Sequence, residues 1–431
     1  MSRGSDLLHA QPVEVGPAMM ALIAELFPIG RSITGDGLRQ TLSILRRSIP
    51  LAIHEVPSGT PVLDWTVPPE WNVRDAHVAN SCGERVIDIR ESTLHLVGYS
   101  EPVRARLSLA ELRPHLHTLP DHPDWIPYRT SYYSAGWGFC LRHRDYLALP
   151  DDEYEVVIDS SLTDGYLSYG ELYLAGEETD EVLLTAHACH PSLANDNLSG
   201  IAVLASLARA LQSAPRRLSY RILFIPGTIG AITWLARNRD RVARIRHGLV
   251  LAGVGDRGAK SYKKSRRGDT AIDRAVCHVL RTGGAAHRIL DFSPYGYDER
   301  QFCSPGFDLP VGRFSRSEHG TYPEYHTSAD DMSFVSATSL ADSYATLVAV
   351  LSMLEGDAAF VNQCPYGEPQ LGRRGLYGGT GEERMARLWV LNQSDGQHSL
   401  LDIAERSGLA FAAIREAATA LAEAGLLAPV A

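Results

Sequence analysis

Apolar residues recur at helical spacing near the start of the chain, and the spacing predicts two helices. The first covers residues 19–27. The second covers 37–49, with Leu38, Leu42 and Leu45 at i, i+4 and i+7, and Pro50 stops it. From residue 57 to about 150 the pattern changes to short alternating runs among Pro, His, Trp and Tyr. Residues 84–89, 93–99 and 103–107 read as brief strands. This stretch predicts a small β-rich module inserted into something larger, its Trp65, Trp71, Trp125 and Trp137 packing a core or lining a wall.

From residue 154 to about 354 strands and helices alternate. Strands are expected at 155–160, 170–175, 181–187, 220–225 and 249–251, and helices at 197–211 and 338–354. Val182, Leu183 and Leu184 form the continuous apolar run of a strand buried on both faces. Such alternation predicts an α/β fold with a mixed, mostly parallel sheet flanked by helices. Residues 365–381, rich in Gly and Pro, read as a linker. Three short helices at 385–392, 400–408 and 411–425 and a last strand near 426–430 then predict a winged helix. The expected units are residues 1–56 with 151–360, the insert at 57–150, and the tail at 365–431.

Length and composition fit this reading. A chain of 431 residues allows two to four domains. With 21% charged and 45% hydrophobic residues it is an ordinary globular chain, not a disordered or fibrous one. The net charge of −10 disfavours nucleic acid as a partner. In the tail from Arg384 onward, four arginines against five carboxylates leave −1, the wrong sign for a groove lined with phosphates. No apolar run approaches the ~20 residues that span a bilayer, so no membrane partner is expected. The first fifteen residues contain Asp6, His9 and Glu14 and no long apolar region. The six cysteines form no CxxC pair. A reducing, cytoplasmic setting is expected. Gly253, Gly255 and Gly258 fit a GxGxxG pattern, but a basic loop follows where a nucleotide-binding helix would have to begin.

The densest chemistry lies at Thr185-Ala-His187-Ala-Cys189-His190-Pro191 and, after three residues, Asn195-Asp196-Asn197-Leu-Ser199-Gly200. It joins the C-terminal end of a buried strand to a helix start, where open α/β sheets bind ligands. Imidazole and carboxylate are the usual zinc donors, and nine residues between His187 and Asp196 suffice to loop back to one ion. Asp196 and Asn197 also suit a helix cap, and His187 a satisfied core position. Two further clusters are Tyr297-Asp298-Glu299-Arg300-Gln301 and, after a loop, Glu318-His319 through Pro323-Glu324-Tyr325-His326-Thr327 to Asp330.

Together these motifs resemble the zinc aminopeptidase family that includes bacterial secreted aminopeptidases and glutamate carboxypeptidases. Over most of the chain, with Pro226-Gly227-Thr228-Ile229-Gly230-Ala231 added, they resemble a bacterial branch of aminopeptidase-like proteins, some linked to polysaccharide biosynthesis. The resemblance implies a zinc-exopeptidase-like fold and zinc held by His187, Asp196 and His326. It also exposes departures. Cys189 replaces the Asp that orients the first His, and Gly227-Thr228 stand where the family keeps a Glu-Glu pair. Ala252 stands near the place of a further Asp. One zinc ion is therefore expected rather than two.

A replacement base is expected at Glu299 or Glu324, with a salt bridge or supporting role as the alternative for either. Glu324 lies two residues before His326, on one face if the segment is extended. His190, Asn197, Arg300 and Arg313 are expected to contact substrate, the arginines through bidentate hydrogen bonds to an anionic group. His190 could instead replace a missing ligand or merely pack, and surface ion pairing is the plainer reading of either arginine. The expected function is zinc-dependent hydrolysis of a peptide or small amide, with a non-catalytic metal- or ligand-binding protein as the alternative. Self-association is left open.

Overall fold

The computed structural model describes residues 12–430 of the chain; the leading segment read above for targeting lies largely outside them. Helices α1 (Pro12–Leu26) and α2 (Asp36–Leu45) come first, followed by β1 (Ala52–Pro57). The insert holds β2 (Glu70–Ala79), β3 (Arg85–Asp88), β4 (Val103–Ser108) and β5 (Glu153–Thr163). The α/β part comprises β6 (Tyr166–Leu174), β7 (Glu181–His187), α3 (Gly200–Ser213), β8 (Ser219–Ile225), α4 (Ile229–Arg237) and β9 (Ile245–Leu251). It continues with β10 (Lys260–Lys263), α5 (Ala271–Thr282), β11 (His287–Leu290), β12 (Val311–Ser315) and α6 (Ala337–Gly356). The tail is β13 (Ala359–Asn362), α7 (Gly381–Gln393), β14 (Asp395–Ser399), α8 (Leu400–Ser407), α9 (Phe411–Glu423) and β15 (Leu427–Pro429).

An eight-stranded sheet runs β1-β6-β8-β7-β9-β12-β10-β11. Its central strands β8, β7, β9 and β12 are mutually parallel, and β1 and β6 add to one side antiparallel. Every residue of β7 is buried. Val182, Leu184 and Ala186 join the core formed with α1, α3 and α6. Leu183, pointing the other way, joins the core shared with α4 and the insert. The period of two thus places two cores on the two faces of one strand. The α/β architecture, with its mostly parallel sheet between helices, is as the pattern predicts.

Three local expectations change. Residues 93–99 hold a short helical turn, Thr93–His95, capped by Ser92, rather than a strand. β5 pairs with β2 and β4, not with the large sheet, so the insert runs on to residue 163 instead of ending at 150. Alternation reveals that a segment is a strand but not which sheet receives it. β13 belongs to the tail's sheet, ordered β14-β13-β15, so the tail begins at residue 359 and the Gly/Pro-rich stretch lies inside it. Leu371 of that stretch is buried in the main core.

α6, at 20 residues, is long and apolar enough to cross a membrane by composition. Here it packs against α1, α3 and α5. The tail's α9 buries Phe411, Ile414, Ala417, Ala418 and Leu421, which join the same core. Arg274 of α5 pairs with Asp402 and Glu405 of α8.

Candidate metal centre

The site forms where β7 ends and α3 begins. His187 is the last residue of β7, and Asp196 lies in the irregular segment Ala194–Ser199 that leads into α3. Asp330 fixes that segment: its two carboxylate oxygens accept the backbone N–H groups of Asn195 at 2.6 Å and Asp196 at 2.9 Å. The Asp196 side chain is fully buried among three imidazoles. Its Oδ1 lies 2.9 Å from His187 Nε2, and its Oδ2 lies 3.1 Å from His326 Nε2 and 3.6 Å from His190 Nδ1. His187 Nε2 and His190 Nδ1 are 3.1 Å apart. Donor atoms of His187, His190 and Asp196 all lie within 4.8 Å of one another. His326 reaches the group through Asp196, from a backbone at φ 56° that non-glycine residues seldom adopt.

Electrostatics suit a cation here. Burial alone would raise the Asp196 carboxyl, but His190 and His187 outweigh it and hold it well below the usual range. Burial drives His190 down to about 3, leaving a neutral imidazole, the form that ligates metals. Asn197 Nδ2 lies 3.3 Å from His187 Nδ1; with Nδ1 accepting, the Nε2–H is left to Asp196. A cation entering the group would displace that proton. Three imidazoles and one carboxylate match zinc's ordinary donor set, so these residues fit the ion.

A cavity of about 220 Å³ opens onto His187, His190 and His326, and Cys189, Asp298 and Arg300 also line it. Asp298 is the site's anomaly. It is buried, yet neither carboxylate oxygen has a hydrogen-bond donor. Burial pushes it up to about 7, with Glu299 adding to the rise and His187 and Arg300 opposing it. Arg300 lines the same wall with its Nε unpartnered. Burial pushes the Cys189 thiol up to about 12, and its Sγ–H points to the Gly227 carbonyl at 3.8 Å. Tyr297 stacks on His187 at 5.0 Å, and Tyr128 of the insert meets His190 and His326 edge-on at 5.2 and 5.1 Å.

Several expected roles are redistributed. Glu299 is turned away from the cavity: its Oε1 takes a buried ion pair from Lys263 Nζ at 2.8 Å, and it does not line the wall. Asp298 and Glu299 are neighbours at the start of a short helical turn, so they point about 100° apart and only one can face the site. Glu324 also stays off the cavity wall. Its segment is a turn, with the Glu324 carbonyl accepting the Thr327 N–H and hydroxyl, so the shared face of an extended segment is lost.

Asn197 does not reach outward to substrate. Its amide donates to the Leu251 carbonyl and accepts the Gly253 N–H, and it steadies His187 where the resembled family uses an Asp. Arg313 is buried beneath the site, bonded to His319 Nδ1 at 2.8 Å and stacked over Tyr297. His190, expected at substrate, lies with His187 and Asp196 in the group whose donor atoms could hold a metal ion. Of the residues the sequence reading left out, Asp298 stood beside a chosen Glu. Tyr128 carried no local signal, because it arrives with the insert: its N–H donates to the His326 carbonyl at 2.8 Å.

This is an aminopeptidase-like α/β fold with a winged helix at its C-terminus. A family model described as a domain of unknown function, DUF4910, matches residues 20–357, and a winged helix-turn-helix model matches 358–429. The chain belongs to the DUF4910 family. It is 52% identical over 420 residues to a Clostridium acetobutylicum protein provisionally named a polysaccharide biosynthesis protein with aminopeptidase-like domain, with 96% of each chain covered. A crystal structure of a provisionally assigned peptidase from Clostridium acetobutylicum superimposes with TM-score 0.95 at 51% identity, covering 97% of each chain. The Bacillus subtilis zinc aminopeptidase shares the fold, with TM-score 0.56 at 14% identity over 78% of this chain and 94% of that one.

Proposed function

We propose that the chain is a metal-dependent hydrolase of a small peptide or amide, with one zinc ion held by Asp196 and the imidazoles around it. One observation carries this reading: a buried His187–His190–Asp196 cluster shares a cavity with Asp298, a buried carboxylate without donors. A zinc ion bound there would supply Lewis-acid polarisation of the scissile carbonyl and a more acidic water.

The chain's own residues supply the rest. Asp298 takes up a proton: its carboxylate lines the cavity beside the imidazoles and is free of donors. A Cβ placed on Gly227 would lie 3.7 Å from Asp298 Oδ1. The Asp298 carboxylate therefore stands beside the position where the resembled family carries a Glu. Arg300 offers an N–H to an anionic or carbonyl oxygen of the substrate. Tyr128 and Tyr297 wall the imidazoles from bulk water. The positions Gly227, Thr228 and Ala252 offer no carboxylate to a second ion, which favours one.

The second reading is a non-catalytic metal- or ligand-binding protein in polysaccharide biosynthesis. The absent Glu pair favours it, as does the name of the 52%-identical relative. Metal analysis of the purified protein, followed by a screen of aminoacyl-anilides and small amides with Asp196→Asn as control, separates the two. Near-stoichiometric zinc with Asp196-dependent turnover supports the hydrolase. Bound metal without turnover of any amide supports the second reading.

A further inference from the structure

A second cavity, of about 270 Å³, lies between the α1–α2 loop and the insert. That is the small end of the range for ligand pockets. Arg31, Ser32 and Gly37 line it, as do Trp71, Val73 and Tyr128. Arg31 is only 2% exposed. Its Nε donates to the His190 carbonyl at 3.0 Å and its Nη1 to the Leu26 carbonyl at 2.6 Å. Nη2 has no acceptor. Among the described residues no carboxylate pairs with this guanidinium, and burial pushes it down to about 10. A buried charge without a counter-charge is costly unless a ligand brings one.

The first turn of α2 faces the same space. Its N-cap, Gly35, offers no side-chain cap, and Gly37 of that turn is part of the wall. The Asp36 N–H is taken by Asn72 Oδ1 at 2.7 Å, and the amides that follow it at the helix N-terminus favour an anion. One unpaired cation matches one negative charge, and a planar guanidinium matches a planar carboxylate. The remaining walls are mainly aromatic and aliphatic, with Gln40 and Thr93 among them.

We propose that this cavity binds a small organic monocarboxylate, its carboxylate on Arg31 and the first turn of α2, its apolar body against Trp71 and Tyr128. The site abuts the metal centre. Arg31 holds the carbonyl of His190, and Tyr128 touches His190 and His326 from the cavity side. It requires neither bound metal nor turnover, so it stands or falls apart from the hydrolase reading.

The test is titration of the full-length, chelator-stripped protein with phenylacetate, read by calorimetry and tryptophan fluorescence. Phenyl phosphate and 2-phenylethanol serve as dianionic and uncharged comparators. Stripping the metal removes the competing carboxylate site. The expected result is saturable binding of phenylacetate, weakened about tenfold or more by Arg31→Met, and about tenfold weaker for each comparator, as befits a lost charge-assisted hydrogen bond. Val73→Phe fills the cavity without touching the guanidinium and should abolish binding while the fold melts normally. It keeps the test decisive should Arg31→Met fail to fold. No saturable binding at millimolar phenylacetate, unchanged binding in Val73→Phe, or equal binding of the alcohol would overturn the proposal. Tighter binding of phenyl phosphate would overturn the carboxylate assignment.

Discussion

The tail and the metal pocket handle polar groups in opposite ways. In the tail, Thr380 with Glu383 and Ser399 with Asp402 close capping boxes, and Gly408 at φ 72° ends α8. Two of the tail's three helix starts thus find their partners within four residues, while α9, with Ala410 as its N-cap, has no side-chain cap. In the pocket, Asp298 holds two carboxylate oxygens and Arg300 a guanidine nitrogen without partners, and Asp196 is buried among imidazoles. Buried polar groups are nearly always paired, so a cluster that is not marks a place where stability has been given up for chemistry. Among the described residues of the tail, a single buried side-chain atom, Ser394 Oγ, is without a partner. The tail's α9 turns an apolar face to the main core.

If that contrast is right, perturbations should divide cleanly. Asp196→Asn should remove bound metal and turnover together, as read by metal analysis and amide hydrolysis, while the melting temperature of the metal-free protein barely falls. In the tail the reverse holds. Leu421→Ala empties a fully buried position on α9 and should cost about 2–5 kcal/mol in chemical denaturation, with zinc stoichiometry unchanged. Metal loss in that variant would show that the two regions are not separable.

Smaller effects sharpen the same comparison. Ser399→Ala removes a cap whose hydroxyl accepts the Asp402 N–H at 3.3 Å and should cost about 1 kcal/mol, again without touching metal content. The smallest effect concerns Asp395. The Gln397 N–H, followed by His398, holds its carboxyl down to about 2 in the folded state. Because the folded value lies below the unfolded one, this contribution is present above the ordinary Asp range. It fades as pH falls from near 4 through about 2. Wild type and Asp395→Asn should therefore differ in melting temperature near pH 6 and converge near pH 2. A gap that persists at pH 2 would assign the difference to something other than this carboxylate.

Much of the scaffold was legible because its signals are local. The apolar run of β7, the stripes of α3 and the caps and apolar spacing of the tail each depend on a dozen residues or fewer. His187 and Asp196 were legible as a motif. What escaped depends on how distant segments meet. β5 alternates like any strand, and only pairing reveals its sheet. His190 enters the donor cluster because the loop after β7 folds back on Asp196. The choice between Asp298 and Glu299 turns on the phase of one helical turn, and Lys263, 36 residues away, takes the Glu. Arg31 carries no signal in the sequence, and its burial without an answering acid among the described residues emerges only from the fold.

The most direct test compares Asp298→Asn with Glu299→Gln on whichever amide the wild-type protein cleaves best, with metal content measured for all three. We expect Asp298→Asn to keep its metal and lose about 10²–10⁴-fold in turnover, the usual worth of a general base. Glu299→Gln, which breaks the Lys263 ion pair, should chiefly lower the melting temperature. If Asp298→Asn retains turnover within about tenfold of wild type, or if Glu299→Gln alone abolishes it at full metal content and unchanged stability, the assignment of Asp298 as the site's base is wrong.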